Sequence, residues 1–188
     1  VIAEQRALGW QTVHLTGPAH GAGVPDPDGW HYFRTQPSPA ALARTPLLSQ
    51  ALAMRALARR IRQVVRMTRP QILHAHAPAL NGVAALQVAR RCGLPLVYEA
   101  RDWWVDPERA HTLGARLASA CETFVLRRAD AVAASSHAML GDLRQRGARG
   151  PGAMVPAAVD PYATACAPSD SSRLRKQLDL AEGHVILY

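Results

Sequence analysis

The chain has 188 residues, 48% of them apolar, and a formal net charge of +8, which is enough apolar material for one substantial core and argues against disorder. No stretch approaches the ~18 uninterrupted apolar residues of a spanning helix, and the opening VIAEQRALGW lacks the basic-then-apolar order of a signal peptide, so the chain reads as a cytoplasmic domain. Cys92, Cys121 and Cys166 are odd in number and far apart, which disfavours a disulfide framework or a zinc knuckle and predicts reduced, packed thiols.

In chain order, VIAEQRALG reads as the back of a helix leading into the strand TVHLT (12–16), and WHYFR (30–34) as a second strand. The Gly/Pro-rich GPAHGAGVPDPDG between them reads as an irregular loop. A basic helix follows, in which Leu47, Ala51, Met54, Leu57, Ile61 and Val65 recur every three or four residues as one apolar face. Between Ala40 and Arg69 there are seven Arg and no acid. Arg55, Arg59, Arg62, Arg66 and Arg69 fall on one ridge about 100° round from the apolar face. Such a ridge suits either anionic lipid headgroups or plain solvent. It carries no interleaved aromatics, which argues against a nucleic-acid groove.

After Pro70 the pattern alternates. QILHA, PLVYEA, DAVAAS and GAMVP read as strands, separated by the helices ALNGVAALQVARRCG, TLGARLASACETFVLRRA and SHAMLGDLRQRG, with RDWWVDPERAH as a loop. Apolar strands alternating with helices predict a parallel sheet covered on both faces, a Rossmann-like three-layer α/β sandwich. Residues 1–155 are expected to form this domain without its usual first strand and glycine-rich turn. Residues 156–182 read as a linker with a helix, and 183–188 as the first strand of a second domain.

In such a sheet, ligands gather at the carboxyl ends of the strands. That rule places His76, Asn81, Gly82, Glu99, Arg101, Asp102 and Ser136 along one rim. His74 and His76 point the same way if their strand reaches residue 76. An HxH pair can hold a divalent ion, but no third ligand is evident in the sequence and no metal is expected. His74 reads as a core imidazole beneath the rim, and His76 as a substrate contact or a structural hydrogen-bonding group. Trp103 and Trp104 each join a flat apolar face to one N–H donor, suited to stacking on a sugar or dipping into a membrane interface. One of them is expected at the cleft and the other as a plug of the loop.

The stretch RPQILHAHAPALNGVAALQVARRCGLPLVYEARDWW, followed by RRADAVAASSHAMLGDLRQRG and VPAAVD, resembles the amino-terminal domain of the family-four glycosyltransferases. EQRALGWQTVHLT and HYFRT are similar to motifs of the exosortase-linked, exopolysaccharide-type members. The resemblance covers nearly the whole chain. It implies the amino-terminal, acceptor-side half of a GT-B fold. It also implies sugar transfer from a nucleotide-sugar donor to a glycan or lipid-linked acceptor, with retention and with no metal or other cofactor. Where many members carry a His after LVYEA, this chain has Arg101, which can hydrogen-bond hydroxyls or phosphate but cannot act as a neutral base. Val105 stands where relatives often have an acid, and Ala157 and Ala158 where an Asn-containing turn is usual. Substrate contacts are assigned to His76, Asn81, Gly82, Glu99, Arg101, Asp102 and Trp103, with no catalytic residue identified, and this stretch alone is expected to be inactive. A sugar-nucleotide epimerase of similar fold and a non-catalytic acceptor-binding module are the alternatives; an epimerase needs no acceptor, and a module has no turnover.

Overall fold

The computed structural model describes residues 2–16, 31–34, 46–101, 112–158 and 168–179. The Gly/Pro-rich loop, Asp102, Trp103, Trp104, Cys166 and the 183–188 strand lie outside them. The chain divides into two compact units, Val1–Pro156 and Ala157–Tyr188. In the second, the described part is one helix, α6 (Pro168–Gln177).

The first unit opens with α1 (Ile2–Ala7) and two parallel strands, β1 (Val13–Thr16) and β2 (His31–Arg34), paired Val13 to His31 through Thr16 to Arg34. The long helix α2 (Pro46–Thr68) leads to β3 (Leu73–His76), α3 (Ala79–Cys92), β4 (Leu96–Ala100), α4 (Leu113–Leu126), β5 (Ala131–Ala134), α5 (His137–Gln145) and β6 (Gly152–Met154). The last four strands form one parallel sheet in the order β3-β4-β5-β6. Each strand steps in the same direction, so right-handed crossovers put α3, α4 and α5 on one face. That face carries Ala75, Leu96, Tyr98, Ala100, Val132 and Ala134, which form the main core with Ala85, Leu86 and Ala89 of α3, Val125 and Leu126 of α4, and Met139 and Leu143 of α5.

α3 is packed from two sides. Its Ala85, Leu86 and Ala89 meet the sheet, while Ala84 and Val88 meet Ala58 of α2 with Met54, Leu57, Ile61 and Val65 around them. The apolar face of α2 therefore matches the expected spacing from Met54 onward, whereas Ala51 is exposed. Gly93 closes α3 in the left-handed conformation, φ 65°, which costs glycine little. Thr112 and Ser136 cap α4 and α5 by accepting from the backbone N–H of Ala115 and Met139. α2 stops at Thr68, and Arg69 turns away at φ 46°, so the last member of the basic ridge falls outside the helix. Cys92, the last residue of α3, is exposed rather than packed; Cys121 is half-buried.

A close helix–strand contact and a polar chain lie inside this scaffold. Gly82 lets α3 approach β4 closely: a Cβ there would sit 2.8 Å from Tyr98 Cε2 and 3.0 Å from Val125 Cγ1. The Tyr98 hydroxyl donates to Glu122 Oε1 at 3.1 Å, and the other Glu122 oxygen pairs with Arg146 Nη1 at 2.7 Å. Burial, then the charge and hydrogen bond of Glu122, push the Tyr98 hydroxyl well above the ordinary tyrosine range, with Arg146 opposing.

Gly82→Ala gains about 1 kcal/mol of helix propensity but overpacks a buried ring at a cost of about 1–3 kcal/mol. The expected result is a melting temperature lower by a few degrees, read by calorimetry; a rise would show that the ring moves aside freely. Tyr98 supplies a pH test. Its folded pKa is raised, so its contribution is fully present below about pH 10, where the unfolded side chain starts to lose its proton, and is lost as pH rises from there. Thermal melts between about pH 9 and 11 should therefore decline less steeply for Tyr98→Phe than for the wild type.

Candidate functional site

The second face of the sheet behaves differently from the first. Strands expected to be apolar throughout carry His74, His76 and Glu99 here, because alternation along β3 and β4 sends these side chains away from α3 and α4. The parallel register sets His76 opposite Glu99 and His74 opposite Val97. As a result, Glu99 Oε2 lies 2.9 Å from His74 Nε2 and 3.4 Å from His76 Nδ1, while Arg101 Nε donates to Glu99 Oε1 at 2.6 Å. The two imidazoles stack with centroids 4.5 Å apart.

Glu99 is only 4% exposed. Hydrogen bonds from His74 and then His76, with a further one from Arg101, outweigh that burial and hold its carboxyl far below the usual carboxylate range. The cluster is thus built around a permanent buried anion, with Arg101 and both imidazoles open to solvent. His14 of β1 is near enough for the charge of His76, together with burial and Arg6, to depress its pKa, burial being the largest cause.

Several sequence expectations meet at this cluster. His76, Glu99 and Arg101 are brought together. Asn81 stands behind them, its Nδ2 donating to the His76 carbonyl at 3.2 Å, which fixes the strand end. Gly82 is buried against Tyr98 and packs the scaffold rather than facing the rim. Ser136 caps α5. His74 is not a core imidazole: it is partly exposed and makes the shorter of the two imidazole contacts to Glu99. The third donor that the HxH pair lacked in the sequence is Glu99, and the three donor atoms lie within 4.8 Å of one another. Sequence reasoning also missed Ser135, whose hydroxyl donates to the Arg101 carbonyl at 3.0 Å and ties β5 to the residue after β4. Ser135 had no sequence signal of its own.

On the outer surface, Arg55, Arg59, Arg66 and Arg69 are exposed and Arg62 is half-buried. A shallow surface cavity of about 610 Å³ on α4, lined by Arg116, Ser119, Thr123, Phe124, Arg127 and Arg128 among others, holds none of the site residues. No helix among the described residues is long and apolar enough to cross a membrane.

No curated protein sequence matches the chain. Among solved structures, sucrose-phosphate synthase from Thermosynechococcus elongatus is similar with a TM-score of 0.69 at 17% identity, over 94% of this chain and 44% of that one. HepE from Anabaena in complex with UDP-glucose matches with a TM-score of 0.53 at 22% identity, over 79% of this chain and 36% of that one. The chain thus spans less than half the length of these structures. At such identities they establish the fold, the Rossmann-like half of a GT-B architecture. The glycosyl transferase 4-like domain family matches residues 1–179, and with the parallel sheet and its strand-end cluster in place, the chain belongs to that family.

Proposed function

We propose that this domain is the acceptor-side half of an enzyme that transfers a sugar from a nucleotide-sugar donor to a glycan or lipid-linked acceptor, with retention of configuration. The observation that carries the reading is the family match over residues 1–179, which encloses a polar cluster at the carboxyl ends of β3 and β4, where open α/β sheets bind ligands. The HepE structure, which contains UDP-glucose, supports a nucleotide-sugar as the donor class. Turnover is assigned to the complete protein, because positioning donor and acceptor across an interdomain cleft supplies much of the rate.

Each residue of the cluster has a role in this reading. Arg101, charged at every working pH, faces the charge that develops on the departing diphosphate. Glu99 accepts from its Nε and so fixes the guanidinium plane, leaving the terminal nitrogens for substrate. His76, half-exposed beside Glu99, hydrogen-bonds an acceptor or donor hydroxyl. Asp102 and Trp103, which follow Arg101 in the sequence, are assigned to substrate by the family resemblance alone.

The reading is tested with the complete protein, a panel of nucleotide-sugars and a lipid-linked acceptor, following acceptor-dependent nucleotide release. Release without acceptor, or epimerised donor as the product, would favour an epimerase. Arg101→Ala is expected to lower kcat by roughly 10², the common effect of losing one preorganised donor. A change under about twofold, with folding intact, would make Arg101 a surface ion-pair member, for which about 0–1 kcal/mol is typical.

We further propose that the enzyme meets its lipid-linked acceptor at an anionic membrane surface through α2. Three exposed arginines, Arg55, Arg59 and Arg66, share one side of a helix whose stretch contains no acid. Each is worth about 1 kcal/mol near anionic lipid, which suits reversible attachment. Co-sedimentation with anionic vesicles should be lost at high salt, with neutral lipid, and when Arg55, Arg59 and Arg66 are changed to Gln. Binding indifferent to lipid charge would leave the ridge a solvated face.

A further inference from the structure

We propose that His74, His76 and Glu99 form a binding site for a divalent transition metal of the zinc class, with three protein ligands and an open position on the rim. The donor set is His₂-carboxylate, a combination that zinc accepts, and three protein ligands with a vacant position are the mark of a site open to a further ligand. The geometry supports it. Ligands about 2.0–2.1 Å from one ion stand about 2.9 Å apart at a right angle and about 3.4 Å apart at the tetrahedral angle. Those are the spacings from Glu99 Oε2 to His74 Nε2, 2.9 Å, and to His76 Nδ1, 3.4 Å. The remaining edge, between the two imidazole nitrogens, falls within the 4.8 Å span of the group. Both imidazoles are partly exposed and can close it by small rotations.

The surroundings suit the ion as well. Arg101 holds Glu99 by its other oxygen, Oε1, as metal-ligating carboxylates are commonly held by an outer hydrogen bond. That leaves Oε2 for the metal. Without metal, the two facing nitrogens each carry a proton toward Oε2. A metal takes up a lone pair on each of those nitrogens, so the proton facing Oε2 has to leave that atom, and no charged group is stranded. The nearby Arg101 charge weakens affinity without touching the ligand atoms. The site stands independently of the transferase reading, since it depends only on the register of β3 and β4.

The test uses the complete protein, freed of any tag, stripped with chelator and titrated with zinc chloride by calorimetry. One equivalent is expected to bind, with affinity falling at least about tenfold in His74→Ala and in His76→Ala. Zinc should also raise the melting temperature of the wild type more than that of either variant. Cobalt loading gives a second readout that does not depend on how the variants fold: visible bands of a nitrogen/oxygen site support the assignment, whereas a sulfur-to-cobalt charge-transfer band places the ion on cysteine and overturns it. Absence of zinc binding by the wild type, or undiminished binding in both folded variants, also overturns it.

Discussion

A carboxylate withdrawn from water has to be partnered, and Glu99 is the carboxylate on which this site depends. It is 4% exposed, and an unpaired charge at that depth would cost several kcal/mol. The chain answers with three nitrogen donors from one corner of the sheet: His74 and His76 from β3, and Arg101 from the residue that follows β4. None of these would meet if β3 slipped by one position against β4, because a one-residue shift reverses which face every side chain takes. The pairing of His76 with Glu99 is therefore both a fold constraint and the origin of the site.

What holds that register lies on the opposite face. Tyr98, between Val97 and Glu99, is buried at 0% exposure and locked between Gly82, Val125 and the Glu122 carboxylate. Its hydroxyl needs a partner when buried, and Glu122, itself neutralised by Arg146, provides one. Asp130 fixes the start of β4 by accepting from Leu96 N at 2.9 Å, while its own N–H donates to the Leu96 carbonyl at 2.9 Å. Small residues on α3 let it pack between the sheet and α2 at once. The strand that presents Glu99 to the rim is thus clamped from behind.

The elements of this fold were legible because their signals are local. Alternating strands and helices, Gly93 after α3, and the i, i+3, i+4 spacing of Met54, Leu57, Ile61 and Val65 all act over a few residues. The grouping of His76, Glu99 and Arg101 on one rim was also legible, from the rule that strand ends carry ligands. The donor set was not. Glu99 lies 23 residues from His76 in the sequence, and only the strand register makes them neighbours. His74 was misread for the same reason: flanked by Leu73 and Ala75, it looks like part of a buried run, yet alternation turns it to the polar face. The packing role of Gly82 depended on the Tyr98 ring, and that of Ser135 on the Arg101 carbonyl, both contacts between distant segments.

The proposed metal site would give the cluster two mutually exclusive states. Hydrogen-bonded to Glu99, His74 and His76 point N–H groups at one oxygen and are tied down; ligating an ion, they present lone pairs to the same point in space. Exchange between the two needs only small rotations of the two imidazoles and the departure of the protons that face Oε2. Arg101 is common to both, because it occupies the other carboxylate oxygen. Its guanidinium opposes a cation beside it and favours an anion, so a phosphate-bearing ligand on the rim would relieve the repulsion that an ion at Oε2 creates. At the proposed site, metal occupancy and anion binding would each strengthen the other through the charge of Arg101, and linkage makes that coupling reciprocal.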